Sequence, residues 1–299
     1  MRLLITGGSG FVGRNLVRYF ATRHSVTFTF FKSAVKDLYP VGDRIPVDIR
    51  QSNQVMTALE RARPDIVIHV AGNRNVRFCE ENPAEAQAIN GEGTWHVARA
   101  CKIVGARMLY LSTDLVFDCE TGGYTETSIP VPGSAYGKSK LSGEKLASDE
   151  LPDLAICRSG GIYGPESPLL GWLANELAAR REILCLTNVK NTPTYVDALG
   201  RMMERIIERN ISGTFHTVGS DVVSRFEFFH AFASAFDFDS SCLRPINSPE
   251  LMKDMLLQPN ASLDSTLTHQ VLRTTGLSLR EGLAALKSMA GQPTHSGRP

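Results

Sequence analysis

Short apolar runs alternate with longer stretches of mixed polarity through the first two thirds of the chain. The runs Leu3–Thr6, Ser25–Phe30, Ile45–Val47, Ile66–Ala71, Met108–Ser112, Leu154–Arg158 and Ile183–Leu186 have the length and apolar content of buried strands. Between them Gly13–Ala21, Asn53–Arg63, Pro83–Val104, Ala135–Asp149 and Leu169–Arg181 read as helices. Strands separated by crossover helices predict an α/β fold, a doubly wound parallel Rossmann sheet. After about Gly219 the pattern changes. A helix over Phe226–Phe236, the run Cys242–Ile246 and a helix near Arg280–Met289 predict a smaller α/β lobe. The expected division is residues 1–158 and about 187–218 for an NAD(P)-binding Rossmann domain, and about 159–186 and 219–290 for a substrate-binding lobe. Residues 291–299, rich in Gly, Pro, Ser and Thr, read as a flexible tail.

The turn after the first run sharpens this picture. Thr6-Gly7-Gly8-Ser9-Gly10-Phe11-Val12-Gly13 joins a strand directly to a helix, with Gly7, Gly10 and Gly13 three residues apart. Glycine tolerates positive φ, and its missing Cβ lets a pyrophosphate approach N–H groups at a helix N-terminus. Turns also collect glycine for conformational reasons alone. The position at the end of the first strand points to a dinucleotide.

Tyr136-Gly137-Lys138-Ser139-Lys140 opens the Ala135–Asp149 helix, and its i, i+4 spacing puts Tyr136 and Lys140 on one face. A surface tyrosine packed over a lysine stem would look the same. The chemical reading is an ammonium that lowers the phenol pKa towards neutrality, making Tyr136 a proton donor or acceptor for a carbonyl or alcohol oxygen. Ser112-Thr113-Asp114 follows the fifth run and places Thr113 at the carboxyl end of the sheet, where open α/β sheets hold ligands. Thr113 could bind the same oxygen, or form a turn or cap.

Taken together, the glycine turn, the post-strand Thr113 and Tyr136-x-x-x-Lys140 resemble the extended short-chain dehydrogenases/reductases. Within them the chain is similar to the branch of the dTDP-4-dehydrorhamnose reductases. That similarity runs over nearly the whole chain, through Arg63-Pro64-Asp65, Asn90-Gly91-Glu92-Gly93-Thr94, Ser112 to Asp118, Tyr124-Thr125-Glu126, Tyr136 to Glu144, Thr192 to Asp197 and Pro259 to Asp264. The resemblance implies Thr113, Tyr136 and Lys140 as the catalytic set, with Lys140 on the nicotinamide ribose. It implies Gly7, Gly10, Phe11, Val12, Gly13, Lys32, Asp48, Ile49, Ala71, Gly72, Asn90, Tyr136 and Lys140 as the cofactor site, and Thr113, Gly161, Thr194 and Asn260 around the substrate. The expected activity is NADP(H)-dependent reduction of a nucleotide-linked 4-keto-6-deoxy sugar. The alternatives are an NAD-dependent nucleotide-sugar epimerase, or a non-catalytic NADP-binding regulatory subunit like the β subunit of methionine adenosyltransferase. Two residues depart from relatives. Gly161 stands where the branch's reductases usually carry tryptophan, which bears on the sugar accepted. Leu115 stands where sugar-nucleotide dehydratases carry a glutamate, and a leucine cannot transfer the proton that water elimination needs.

Cofactor choice is read from Phe30-Phe31-Lys32-Ser33, which has no acid before Asp37. A carboxylate would repel a 2′-phosphate, whereas Lys32 and Ser33 could bind one, so NADP(H) is expected, with NAD(H) as the alternative. Lys32 could equally be solvated, as could Arg14, Arg74 and Arg77, which are candidates for phosphate groups. His69 sits inside an apolar run and reads as a satisfied core histidine. A formal net charge of +1 gives no reason to expect nucleic acid or an anionic membrane as partner. The expected partner is a nucleotide-sugar, with a homodimer left open. The six cysteines form no C-x-x-C pair, so reduced thiols are expected and a metal site is not. With no signal peptide or membrane-spanning run, a cytoplasmic enzyme is expected.

Overall fold

The structure, a computed structural model, describes residues 1–32 and 43–290; Ser33, Asp37 and the expected tail lie outside the described residues. Strands β1 (Arg2–Thr6), β2 (Ser25–Phe30), β3 (Arg44–Pro46), β4 (Ile66–His69), β5 (Arg107–Thr113) and β6 (Ala155–Ser159) join the Gly213–His216 strand in one sheet. Its order is Gly213–His216, β6, β5, β4, β1, β2, β3, and every neighbouring pair is parallel. The chain starts in the middle, winds out to β3, then returns to build the other half from β4. This is the doubly wound α/β sheet expected from the sequence, and its winding reverses between β1 and β4, where such sheets open a crevice.

Both faces of the sheet are covered, which is why its strands are nearly all apolar. Leu3 and Ile5 turn to one side with Val26, Phe28, Ile66 and Ile68, against Leu16, Val17 and Phe20 of the Phe11–Phe20 helix and Leu199, Met202 and Met203 of the Val196–Arg209 helix. Leu4, Val67, Met108 and Tyr110 turn to the other, against Val55, Val97, Ala98 and Ala147. A third apolar cluster gathers Tyr163, Leu170, Leu173, Phe228, Phe229, Phe232 and Leu283 beyond the carboxyl edge of the sheet.

Several elements differ from the sequence expectation, the unmarked Val196–Arg209 helix among them. The single helix expected over Pro83–Val104 is broken into Pro83–Ala86, a π-helical stretch Gln87–Glu92, and Gly93–Val104. Ile183–Leu186 pairs with Leu243–Ile246 outside the central sheet. Gly213–His216, which the apolar pattern did not mark, completes the central sheet against β6. Among the described residues no helix is long and apolar enough to cross a membrane.

Candidate active site

A cleft of about 1050 Å³ runs along the carboxyl edge of the sheet, from the glycine turn to the third apolar cluster. Its first wall is the turn after β1. Gly7 adopts φ +67°, and a Cβ there would lie 2.8 Å from the Ala71 backbone. A Cβ on Gly13 would meet the Gly7 carbonyl oxygen at 2.2 Å. Only glycine lets the helix start this close to the strand end. Gly10 is the N-cap of the Phe11–Phe20 helix, and no side chain caps that terminus. Its free N–H groups and positive dipole end therefore face the cleft beside Phe11, Val12, Ala71 and Gly72, all of which line it. These features fit a dinucleotide pyrophosphate.

Further along this wall, Lys32 lies with its Nζ 5.1 Å from the Phe31 ring centroid, and Arg50 stacks on the same ring at 5.6 Å. Arg50 is held by Asp48 at 2.7 Å and Glu85 at 3.2 Å, and its guanidinium holds the Asp48 carboxyl below the usual carboxylate range. Lys32, Asp48, Ile49 and Arg50 all line the cleft. Arg50 was not singled out in the sequence, although it follows Asp48-Ile49 directly. Arg14 is turned away onto Glu166, and Arg77 onto the Asp254 carbonyl at 2.7 Å, whereas Arg74 lines the cleft.

The central part of the cleft carries the hydroxyls and the lysine. Ser134 caps the Ala135–Glu150 helix through the Gly137 N–H at 3.0 Å. Gly137 lets that helix press on the turn after β5, since a Cβ would lie 2.0 Å from the Leu115 carbonyl oxygen. This contact brings Tyr136 beside Thr113. Burial raises the Tyr136 pKa, with the Thr113 hydroxyl pulling the other way. The lowering by Lys140 expected from the sequence is thus corrected. The lysine donates instead to the Leu111 carbonyl at 2.7 Å, and burial takes its own pKa down to about 7. The Thr113 hydroxyl donates to Asp114 at 2.9 Å, and burial lifts that carboxyl to about 7.

Asn90, in the π-helical stretch, is fully enclosed and spends its side chain on structure. Its oxygen accepts from the Asn73 N–H at 2.8 Å, and its amide donates to the Asn73 carbonyl and the Ser139 hydroxyl, each at 3.0 Å. It still lines the cleft and fixes the loop after β4 to the Tyr136 helix. His69 is wholly buried between the Thr6 and Thr94 hydroxyls at 2.7 and 3.1 Å, and burial takes its pKa down to about 3. It is a satisfied core histidine.

At the far end the four residues expected around the substrate separate. Thr113 and Gly161 line the cleft. Gly161 has φ +52°, and a Cβ would lie 2.7 Å from the Asn191 amide nitrogen, so the wall is low there. Thr194 is fully buried, donating to the Gly160 carbonyl at 2.9 Å. Asn260 donates to the Thr121 carbonyl at 2.9 Å, and neither it nor Thr194 reaches the cleft surface. Their polar groups brace the backbone behind the wall instead. The wall itself is Pro168, Leu169, Phe228, Phe229 and Leu257, with Arg225 among them. The Arg225 guanidinium lies 5.4 Å from the Phe229 ring centroid, with no carboxylate on it among the described residues. Nothing in the sequence pattern distinguished it from a surface arginine opening a helix.

The family described as the RmlD substrate binding domain matches residues 1–292. A probable low-salt glycan biosynthesis reductase, Agl14, of Haloferax volcanii is 29% identical, the match covering 96% of this chain and 98% of that protein. The methionine adenosyltransferase 2 subunit beta of Bos taurus is 28% identical, with 93% and 84% covered. Among solved structures, dTDP-4-dehydrorhamnose reductase from Bacillus anthracis in complex with NADP superposes with a TM-score of 0.84 at 26% identity, over 96% of this chain and 99% of that one.

Proposed function

The chain belongs to the RmlD substrate binding domain family, and on that premise we propose that it is an NADP(H)-dependent reductase of a nucleotide-linked 4-keto-6-deoxy sugar, with Tyr136 as proton donor. The observation that carries the reading is the convergence of Thr113, Tyr136 and Lys140 on one cleft with the uncapped glycine turn. NADP(H) is supported by the B. anthracis reductase, crystallised with NADP, and by Lys32 beside the Asp48–Arg50 pair. The bound nicotinamide would supply the hydride. The protein residues have the remaining tasks. Tyr136, whose burial keeps its proton in place, gives it to the C4 oxygen as charge develops there. Thr113 shares that oxygen. Lys140 holds the nicotinamide ribose, and Gly7, Gly10 and Gly13 admit the pyrophosphate.

The separate apolar cluster around Phe228 and Phe229 supports a division into a nucleotide-binding unit, residues 1–158 and about 187–218, and a substrate lobe, about 159–186 and 219–290. Arg225 in that lobe is suited to the anionic part of a nucleotide-sugar, because a partly desolvated guanidinium without a carboxylate gains most from an anion. Leu115 supplies no acid for water elimination.

The test is NADPH oxidation with a panel of 4-keto-6-deoxy nucleotide-sugars. Wild-type protein should consume NADPH one-for-one with reduced sugar. Tyr136→Phe should lower turnover by a factor of about 10² or more, the scale of a lost general acid, at nearly unchanged NADPH affinity. Tight NADPH binding with no turnover on any sugar would overturn the catalytic reading.

A further inference from the structure

The Lys140 ammonium lies 4.1 Å from the centroid of the Tyr110 ring. Tyr110 is wholly enclosed on β5, and its hydroxyl meets the Thr94 side chain and the carbonyl oxygens of Lys140 and Asn90, the last two at 3.4 and 3.5 Å. Its ring, rather than its hydroxyl, meets the Lys140 ammonium. The ring is itself clamped. His69 pairs with Tyr110 across β4 and β5, and the two rings stack at 5.4 Å with 22° between their planes. On the helix side, Gly143 comes so close that a Cβ would lie 2.7 Å from the Tyr110 hydroxyl.

We propose that Tyr110 is a positioning residue: the face of its ring is the seat that holds the Lys140 ammonium charged and aimed along the cleft. The proposal rests on the reading of Lys140 as the ribose-binding lysine only for its effect on cofactor affinity. A lysine this deeply buried loses hydration, and burial alone draws its charge off near neutral pH. Among the groups facing it, Glu144, one turn on, draws the charge back, although Arg158 binds that carboxylate at both oxygens. His69 is neutral, a state that also spares Lys140 a second cation. Asp114, Cys79 and Arg74 bear on Tyr136 instead. The Leu111 carbonyl and the negative face of the Tyr110 ring remain.

The experiment replaces the ring's charge distribution while keeping its shape. Tyr110→Phe, Tyr110→Leu and 3,4,5-trifluorophenylalanine at position 110 are compared in protein carrying ¹³Cε-lysine, with the Lys140 titration followed by NMR and NADPH affinity by fluorescence. The Phe variant should titrate as wild type. The trifluoro and Leu variants should titrate about one pH unit lower, the order of a buried cation–π contact, and bind NADPH about ten-fold more weakly at pH 7.5. The trifluoro variant keeps the core filled should Leu fail to fold. Titration midpoints that coincide for the Phe and trifluoro proteins would overturn the proposal. Lys140→Met separates the two ideas. Unchanged NADPH affinity in that variant would refute the cofactor role of the lysine, leaving the Tyr110 seat to stand or fall on the titration alone.

Discussion

At the scale of single residues, the site is governed by what burial does to charge. Asp114 is enclosed against Gly160, where a Cβ would lie 2.0 Å from its carboxyl, and its pKa is raised from 3.8 to about 7. A folded pKa above the unfolded one means that the native state binds more protons between those values. Stability is therefore fullest below about pH 4 and is lost as pH rises through about 7. Asp114→Asn keeps an acceptor for Thr113 and removes that loss. Thermal unfolding should show the Asn variant gaining on wild type by several degrees between pH 5 and pH 8, since each unit of difference is about 1.4 kcal/mol. A gap that stays constant over that range would mean that the Asp114 charge is solvated. The same enclosure explains what was legible. Thr113, Tyr136 and Lys140 could be expected together because hydroxyl, phenol and amine at those spacings suggest one chemistry, and all three line the cleft. The direction of the Tyr136 shift was not legible, because desolvation depends on every neighbour and the i, i+4 spacing shows only one.

At the scale of elements, the apolar alternation found β1, β2, β4, β5 and β6 because strands buried on both faces have little freedom in composition. It could not show the π-helical break at Gln87–Glu92, since one extra residue per turn leaves the same residues apolar. Nor could it mark Gly213–His216, whose Gly, Thr and His are acceptable in a strand only because β6 and the Thr268 hydroxyl take its polar groups. The Ala135–Glu150 helix shows how a polar element is docked. Arg158 of β6 donates to both oxygens of Glu144, at 3.0 and 2.7 Å, with both residues almost wholly buried. Arg158→Met should cost about 3–5 kcal/mol in urea unfolding, because it leaves the Glu144 carboxylate enclosed and unpaired. Adding Glu144→Leu should restore most of that stability. If the single variant were as stable as wild type, water would have to reach Glu144.

For the whole molecule, the sheet order places two kinds of lining at opposite ends of one cleft. Glycine turn, Lys32 and Arg50 lie at the β1–β2 end, and Arg225, Phe228, Phe229 and Leu257 at the other, with Tyr136 and Lys140 between. The sequence announced the first end through its glycines. It missed the second, taking Thr194 and Asn260 for wall residues, because the lobe's wall is assembled from helices and loops distant in the chain. If the two ends serve different ligands, they should fail separately. Arg225→Gln should raise KM for the nucleotide-sugar by about ten-fold, corresponding to about 1.4 kcal/mol for a lost charge-assisted contact. It should leave NADPH affinity unchanged and kcat within a few-fold of wild type. The KM of the wild-type enzyme should also rise more steeply with salt than that of the variant, since the anion's attraction to the guanidinium is screened. Parallel salt slopes in the two proteins would place the anionic part of the substrate away from Arg225, and Arg74, an exposed residue that also lines the cleft, would be the next cation to test.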